Sequence, residues 1–122
     1  MIDATLDRER SLLIVRPEAA LEKEDFADLA SLADPWIAET GGLSGLVIEA
    51  PAFPGWDSLA AMAAHFRFIR DHQRHIRHVA LVTDSPVGNV AEKLAAHFIS
   101  AEIRHFPAGQ LAAATAWASS AG

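Results

Sequence analysis

Cysteine is absent from this sequence of 122 residues, and long apolar runs are absent too. Without cysteine the chain cannot contain a disulfide framework, a cysteine-based zinc site, a thiolate nucleophile or an iron–sulfur cluster. The purely apolar runs, such as residues 59–64, fall far below the roughly 18 residues that suggest a membrane span. The first residues alternate in charge where a signal peptide needs a basic start and an apolar stretch. We therefore expect a cytoplasmic protein without a membrane span.

The glycine motifs of nucleotide-binding proteins are also missing. Neither GxGxxG nor GxxxxGK followed by Ser or Thr occurs, so neither a dinucleotide site nor a P-loop is supported, and no cofactor is predicted. The GxSxG motif of many hydrolases is absent as well. Glu49 and Asp84 stand near predicted strand ends and could form a carboxylate pair, but single acids at loop starts more often cap backbone amides. A small hydrolase is therefore the weakest of the functional interpretations.

The formal net charge is −6, and it is unevenly distributed. Residues 1–60 hold 12 acidic and 4 basic side chains, a balance of −8, whereas residues 61–122 hold 4 acidic and 6 basic ones, a balance of +2. An acidic chain of this kind disfavours general binding of nucleic acid. The basic residues concentrate in one stretch, interleaved with histidines: Arg67, Arg70, Arg74, Arg77, His65, His72, His75 and His78.

The histidines of this stretch raise the question of a metal site. His72 and His75 stand three residues apart on a predicted helix, and imidazole is a common metal ligand. The spacing is not that of HExxH, and a predicted strand begins directly after His78, where helical geometry is lost. The four arginines nearby repel a cation. We expect solvated surface here and predict no metal site.

The apolar pattern alternates between strand and helix signatures. A β-hairpin is predicted where residues 4–7 can pair with residues 11–16, and buried strands are predicted at 43–50, 79–83 and 101–106. Helices are predicted from residue 22 to Gly41, with Pro35 ending or kinking the first of them, and then over 57–72, 86–100 and after residue 110.

The resulting order is β-β-α-β-α-β-α-β-α. It predicts one three-layer α/β domain over residues 1–122, with an open, mostly parallel five-stranded sheet and an N-terminal hairpin. Ligands of such sheets bind beyond the carboxyl ends of the strands, where two loops supply candidate ligand-binding residues. These are Phe53, Trp56, Asp84 and Ser85. Prolines and a glycine in the first loop can hold its aromatic side chains in place, which favours binding. Because Glu49 and Asp84 are the ionisable groups nearest this edge, we expect a neutral or weakly polar ligand rather than an anionic one.

The helix predicted at 57–72 has two apolar stripes. The first, assigned to the core, contains Leu59, Met62, Ala63, Phe66 and Ile69. The second contains Ala61, Ala64 and Phe68. Because isologous pairing is the commonest way to cover an apolar patch of this kind, the second stripe predicts a homodimer interface.

Five segments form a pattern that extends over roughly residues 4–117. They are Leu-Val-Ile-Glu at 46–49, Phe-Pro-Gly-Trp at 53–56, the strand region 76–84, the strand 101–106 and Ala-Trp at 116–117. In order and spacing they resemble the SpoIIAA-like branch of the STAS domain, whose fold is related to the CRAL-TRIO lipid-binding domains. This resemblance implies a hydrophobic ligand or a protein partner near Phe53 and Trp56. The aromatic and lysine-rich start that the family commonly has on its third helix is replaced here by residues 85–88.

Ser58 follows Asp57 at the predicted start of the second helix. This pair resembles the Asp-Ser element whose serine is phosphorylated in anti-sigma-factor antagonists of the STAS family, and a helix N-terminus would stabilise the phosphate. The alternative is that Asp57 or Ser58 only caps the helix, as these residue types do routinely. We favour capping, because the Ser-Gly that follows in those regulators is replaced by Leu59-Ala60.

Together these features predict a non-enzymatic cytoplasmic binding or regulatory module that engages a protein partner or a small apolar ligand. A regulator switched by phosphorylation at Ser58 is the alternative interpretation, and a small hydrolase is the third.

Overall fold

The computed structural model describes residues 2–50, 55–84 and 101–120. Its five strands are β1 (Ile2–Asp7), β2 (Leu12–Pro17), β3 (Leu43–Glu49), β4 (Ile76–Val82) and β5 (Glu102–Phe106). They form one sheet in the order β1-β2-β3-β4-β5. β1 and β2 pair antiparallel, and the remaining neighbours pair parallel. The predicted α/β architecture, a mostly parallel five-stranded sheet with an N-terminal hairpin, is confirmed.

Three helices lie in the described segments. They are α1 (Lys23–Thr40), α2 (Leu59–His72), which a 3-10 turn at Gln73–His75 extends, and α3 (Leu111–Ala118). The helix predicted over 86–100 lies outside the described residues. No helix in the described segments is long and apolar enough to cross a membrane.

Both ends of α1 have local causes. The backbone N–H of Glu22 donates to Asp25 Oδ2 at 2.8 Å, and together these residues form a capping box at the first turn. The helix ends at Gly41, whose φ of 93° lies in the left-handed region that glycine adopts without a Cβ penalty. The helix runs through Pro35 to Thr40. Trp36 and Ile37, which follow the proline, pack against the core, and this packing offsets the missing hydrogen bond.

The sheet has an apolar core on each face, and the strands supply both cores by alternation. On β2, Leu13 and Val15 join the cluster beneath α1 and α2, whereas Leu12 joins the cluster beneath α3. The residues of α3 that complete the second cluster are Ala114 and Ala118, both fully buried. The protein is therefore built in three layers, with α1 and α2 on one face of the sheet and α3 on the other.

Candidate functional site

The orientation of α2 decides which side chains are available for binding. Ala61 is 0 % exposed and Phe68 is 8 % exposed, and Phe68 packs against Phe26 of α1 with ring centroids 6.1 Å apart. Leu59 and Phe66, in contrast, are 79 % and 54 % exposed. Leu59, Ala63 and Phe66, which the sequence assigns to the core, are therefore exposed, whereas Ala61 and Phe68 of the other stripe are buried.

The predicted dimer interface therefore needs a correction. Ala61 and Phe68 belong to the interior of the protomer, and the partly buried Ala64 packs against the same cluster. Helical periodicity identifies two apolar stripes but does not say which of them meets the sheet. Phe26, on a different helix, provides the contact that turns the Phe68 side inward.

The start of α2 is defined by Ser58. Its backbone is extended, with φ −160° and ψ 164°, and its Oγ accepts the backbone N–H of Ala61 at 3.0 Å. This is the N-cap geometry that the sequence favours for a serine at this position. Phosphorylation of Ser58 remains a prediction, and the residue is exposed.

We expect Ser58→Ala to lower the free energy of unfolding by about 0.5–2 kcal/mol, because the Ala61 N–H loses its side-chain acceptor. Ser58→Asp should keep the wild-type value, since aspartate also caps a helix N-terminus well. Urea denaturation followed by circular dichroism measures both. If Ser58→Asp changed self-association while Ser58→Ala did not, a role in capping alone would be wrong.

Trp56 anchors the chain between β3 and α2. The backbone of Trp56 forms an isolated parallel bridge with Leu21. The N–H of Leu21 donates to the Gly55 carbonyl at 2.8 Å. The indole Nε1 donates to Nδ1 of His65 at 3.1 Å. The ring also lies edge-on to Phe66, with centroids 5.9 Å apart. Trp56 therefore links the segment after β2, the loop after β3 and the exposed side of α2.

His65 occupies an aromatic environment beneath Trp56. Its ring stacks on Phe26 with centroids 4.9 Å apart and an interplanar angle of 16°. Burial lowers the pKa of His65 below its ordinary value of 6.5, because the charged imidazolium is poorly solvated there. The bond from Trp56 also requires Nδ1 to be unprotonated, so the folded protein favours the neutral ring.

This environment predicts a pH dependence of stability. Below pH 6.5 the unfolded chain takes up a proton at His65, whereas the folded chain takes it up only at lower pH. The free energy of unfolding should therefore fall as the pH is lowered from neutrality through 6.5 toward the folded pKa. Denaturation midpoints on either side of that value measure the effect. His65→Phe should flatten the pH dependence, whereas the exposed His75→Gln should leave it unchanged; equal slopes in all three proteins would contradict the assignment.

The remaining predicted ligand-binding residues are only partly described. The carboxylate of Asp84 accepts the backbone N–H of Ala108 at 2.9 Å and so ties the end of β4 to the turn before α3. The side chains of Asp84 and Trp56 thus have different hydrogen-bond partners, Ala108 and His65. Phe53 and Ser85 lie outside it. A ligand site that unites these residues stays a prediction.

Three of the acidic and histidine side chains that could serve catalysis or metal binding, Glu49, His72 and His78, make structural contacts instead. Glu49 accepts from Arg16 Nε at 2.7 Å. His72 lies 2.7 Å from Asp34 Oδ1. His78, expected at the surface, is 2 % exposed, and its Nδ1 lies 2.9 Å from the Ser44 carbonyl, because β4 begins at Ile76 and the side chain turns into the interior. Across residues 2–50, 55–84 and 101–120, no group of three or more His, Asp or Glu side chains could hold a metal ion.

The sequence matches a known protein family, and the architecture is similar to that of a solved structure. The SpoIIAA-like family matches residues 12–119, which is most of the chain. The chain belongs to the SpoIIAA-like family. One solved structure, described as an uncharacterized protein from the DUF3478 family with a SpoIIAA-like fold from Shewanella loihica PV-4, is similar with a TM-score of 0.70. At 20% identity it covers 95% of this chain and 92% of that chain, and it shows the fold alone. The search of curated proteins found no match.

Membership of this family supports a STAS-type binding or regulatory module, and such modules are generally not enzymes.

The sequence pattern predicts both apolar stripes of α2, but it assigns the exposed Leu59 and Phe66 to the core. The sequence does contain a partial signal for which of the two stripes faces solvent. Arg67 and Arg70 continue the Leu59 side of the helix, and charged residues in the later turns are typical of a solvent-facing stripe.

Proposed function

We propose that this protein is a non-enzymatic regulatory module that acts through protein contacts made by the exposed side of α2, and that a second copy of the chain occupies this side in the isolated protein. We call the residues Leu59, Ala63 and Phe66 the α2 stripe. The observation that carries the proposal is the exposure of its two large members, 79 % for Leu59 and 54 % for Phe66. We place the module in the cytoplasm, as the sequence predicts.

The α2 stripe has the geometry of a helix-docking surface. Its residues stand at positions i, i+4 and i+7, which lie on one side of a helix. The edge of Trp56, 5.9 Å from Phe66 between ring centroids, extends the apolar surface beyond the helix itself. A helix side of this shape is convex, whereas small apolar ligands bind in concave sites that bury most of their surface. The shape therefore favours a protein over a small apolar ligand.

The charges at the two ends of α2 favour a second copy of the same chain. Asp57 stands before the stripe, and Arg67 and Arg70 continue it on the same side of the helix; all three residues are exposed. In an antiparallel pair of α2 helices related by a twofold axis, Arg67 of one copy approaches Asp57 of the other, while Arg70 keeps its ion pair with Asp71 at 3.0 Å. Opposite charges then meet at both ends of the interface, and the apolar side chains meet at its centre.

The experiment is a measurement of molar mass by light scattering over a range of protein concentrations. We expect the wild-type protein to be a dimer, and Phe66→Glu to be a monomer with an unchanged circular dichroism spectrum. Leu32→Glu is the matched control, because Leu32 is an exposed leucine on α1, 38 % exposed, and lies outside the stripe. This control should remain a dimer.

Two outcomes would overturn the proposed occupant. One is a wild-type protein that stays monomeric at every concentration. The other is a Phe66→Glu variant that still dimerises, which would place the contact elsewhere on the protein. A dimer lost in Phe66→Glu and in Leu32→Glu alike would also count against the α2 stripe, because the effect would then follow from added charge alone.

A further inference from the structure

We propose that a groove at the amino ends of β3 and β4 binds a small phosphate-bearing anion. β3 begins at Leu43 and β4 at Ile76, and these two residues are paired in the sheet. The groove has a volume of about 480 Å³ and is open to solvent. It lies at the opposite edge of the sheet from Trp56 and Asp84, so it is separate from the ligand site that the sequence predicts.

The charge of the groove is opposite to that of the protein. Arg74, His75 and Arg77 contribute to its lining, and among the residues that the structure describes no Asp or Glu side chain does. The chain as a whole has a net charge of −6, so this local excess of positive charge is distinctive. Asp71, an acid close to it in sequence, is paired with Arg70 at 3.0 Å. Guanidinium groups suit phosphate because their planar N–H donors can bond two oxygens at once.

The floor of the groove is the glycine turn between α1 and β3. A Cβ on Gly41 would meet no atom within 4 Å, so the space above this residue is open. A Cβ on Gly42 would lie 2.8 Å from the carbonyl oxygen of His75. The missing side chain at Gly42 thus lets the segment of Arg74 and His75 lie directly against the turn, and the Arg74 side chain lines the same groove as Gly41.

One wall of the groove is fixed by a partly buried chain of hydrogen bonds. Nε1 of Trp36 donates to Ser11 Oγ at 2.8 Å, and Ser11 Oγ donates to the Gly42 carbonyl at 3.3 Å. These bonds connect the β1–β2 turn, α1 and the glycine turn. Because these hydrogen bonds hold the wall against the floor, binding mainly immobilises the exposed Arg74 side chain, which lowers its entropic cost.

The probe is inorganic pyrophosphate, titrated into the protein at low salt while amide NMR shifts are recorded. We expect saturable shifts at Gly41, Gly42 and Leu43, and binding that weakens as salt is added. Arg74→Gln and Arg77→Gln should each weaken binding about tenfold or more, the usual effect of removing a charged hydrogen-bond donor. Arg104→Gln is the matched control, because Arg104 is an exposed arginine on β5 outside the groove. It should bind like the wild type.

Sedimentation with vesicles separates a lipid headgroup from a soluble phosphate. Phosphatidylcholine vesicles with phosphatidylglycerol should retain the protein, in an Arg74-dependent way, only if the anion belongs to a lipid. Equal weakening by Arg74→Gln and Arg104→Gln would overturn the proposal, because it would indicate diffuse charge attraction. An absence of saturable shifts at the glycine turn combined with no vesicle binding would overturn it as well. Circular dichroism without probe confirms that each variant is folded.

Discussion

Phe68→Ala is expected to lower the free energy of unfolding by about 3–5 kcal/mol, the usual cost of truncating a buried phenylalanine. The side chain is 8 % exposed and lies in the cluster between the sheet, α1 and α2. Its ring stacks on His72 at 4.1 Å between centroids and lies 6.1 Å from Phe26. Small domains are stable by only about 5–15 kcal/mol, so this loss is a large part of the total.

Phe66→Ala is the matched control for this prediction. The two residues are of the same type, stand two positions apart on α2, and differ in exposure, which is 54 % for Phe66. We expect Phe66→Ala to change stability by less than about 1 kcal/mol in the monomer. Urea denaturation at a concentration that keeps both variants monomeric measures the difference. A larger loss for Phe66→Ala than for Phe68→Ala would mean that α2 is oriented the other way round, as its sequence pattern suggested.

The second large effect is expected for Gly45→Ala, which should cost about 1–3 kcal/mol through overpacking. Gly45 lies in β3 where α3 crosses closely above it. A Cβ there would lie 2.6 Å from the Cβ of Ala118 and 2.8 Å from its carbonyl oxygen. Backbone cannot move away as a flexible side chain can, and Ser44 Oγ, bonded to the same Ala118 carbonyl at 2.9 Å, holds α3 in place.

A double-mutant cycle tests the mechanism of this loss. Ala118→Gly alone should destabilise by up to about 1 kcal/mol, from helix propensity. Combined with Gly45→Ala, however, it removes the closest clash, so the double variant should be more stable than the sum of the single changes predicts. Thermal denaturation of the four proteins measures the coupling. Wild-type stability for Gly45→Ala, or strictly additive losses, would show that the close approach of α3 to β3 is not the cause.

The two proposals use different surfaces of one continuous segment. The α2 stripe lies in the first half of α2, whereas Arg74 lies in the short turn that directly follows the helix. Their tests are independent, because Phe66→Glu leaves the groove residues unchanged and Arg74→Gln leaves the stripe unchanged. The failure of either proposal would not weaken the other.

The order and type of the described elements follow from local sequence patterns. The apolar runs at 46–48 and 79–82 predict buried parallel strands, and the Gly41-Gly42 pair marks the end of α1, because these signals depend on neighbouring residues. The same holds for Ser58, whose capping bond reaches only to Ala61. The resemblance to the SpoIIAA-like family also rests on such local segments, and the family match confirms it.

The orientation of α2 and the existence of the groove, in contrast, depend on contacts between distant segments of the chain. Helical periodicity alone does not say which of two apolar stripes on one helix is buried. The contact of Phe68 with Phe26, which lies far away in the sequence, accompanies the burial of the Phe68 side. The groove depends on the approach of Gly42 to His75 and on the bond between Trp36 and Ser11. Local patterns do not encode such contacts, because they form only when packing brings distant segments together.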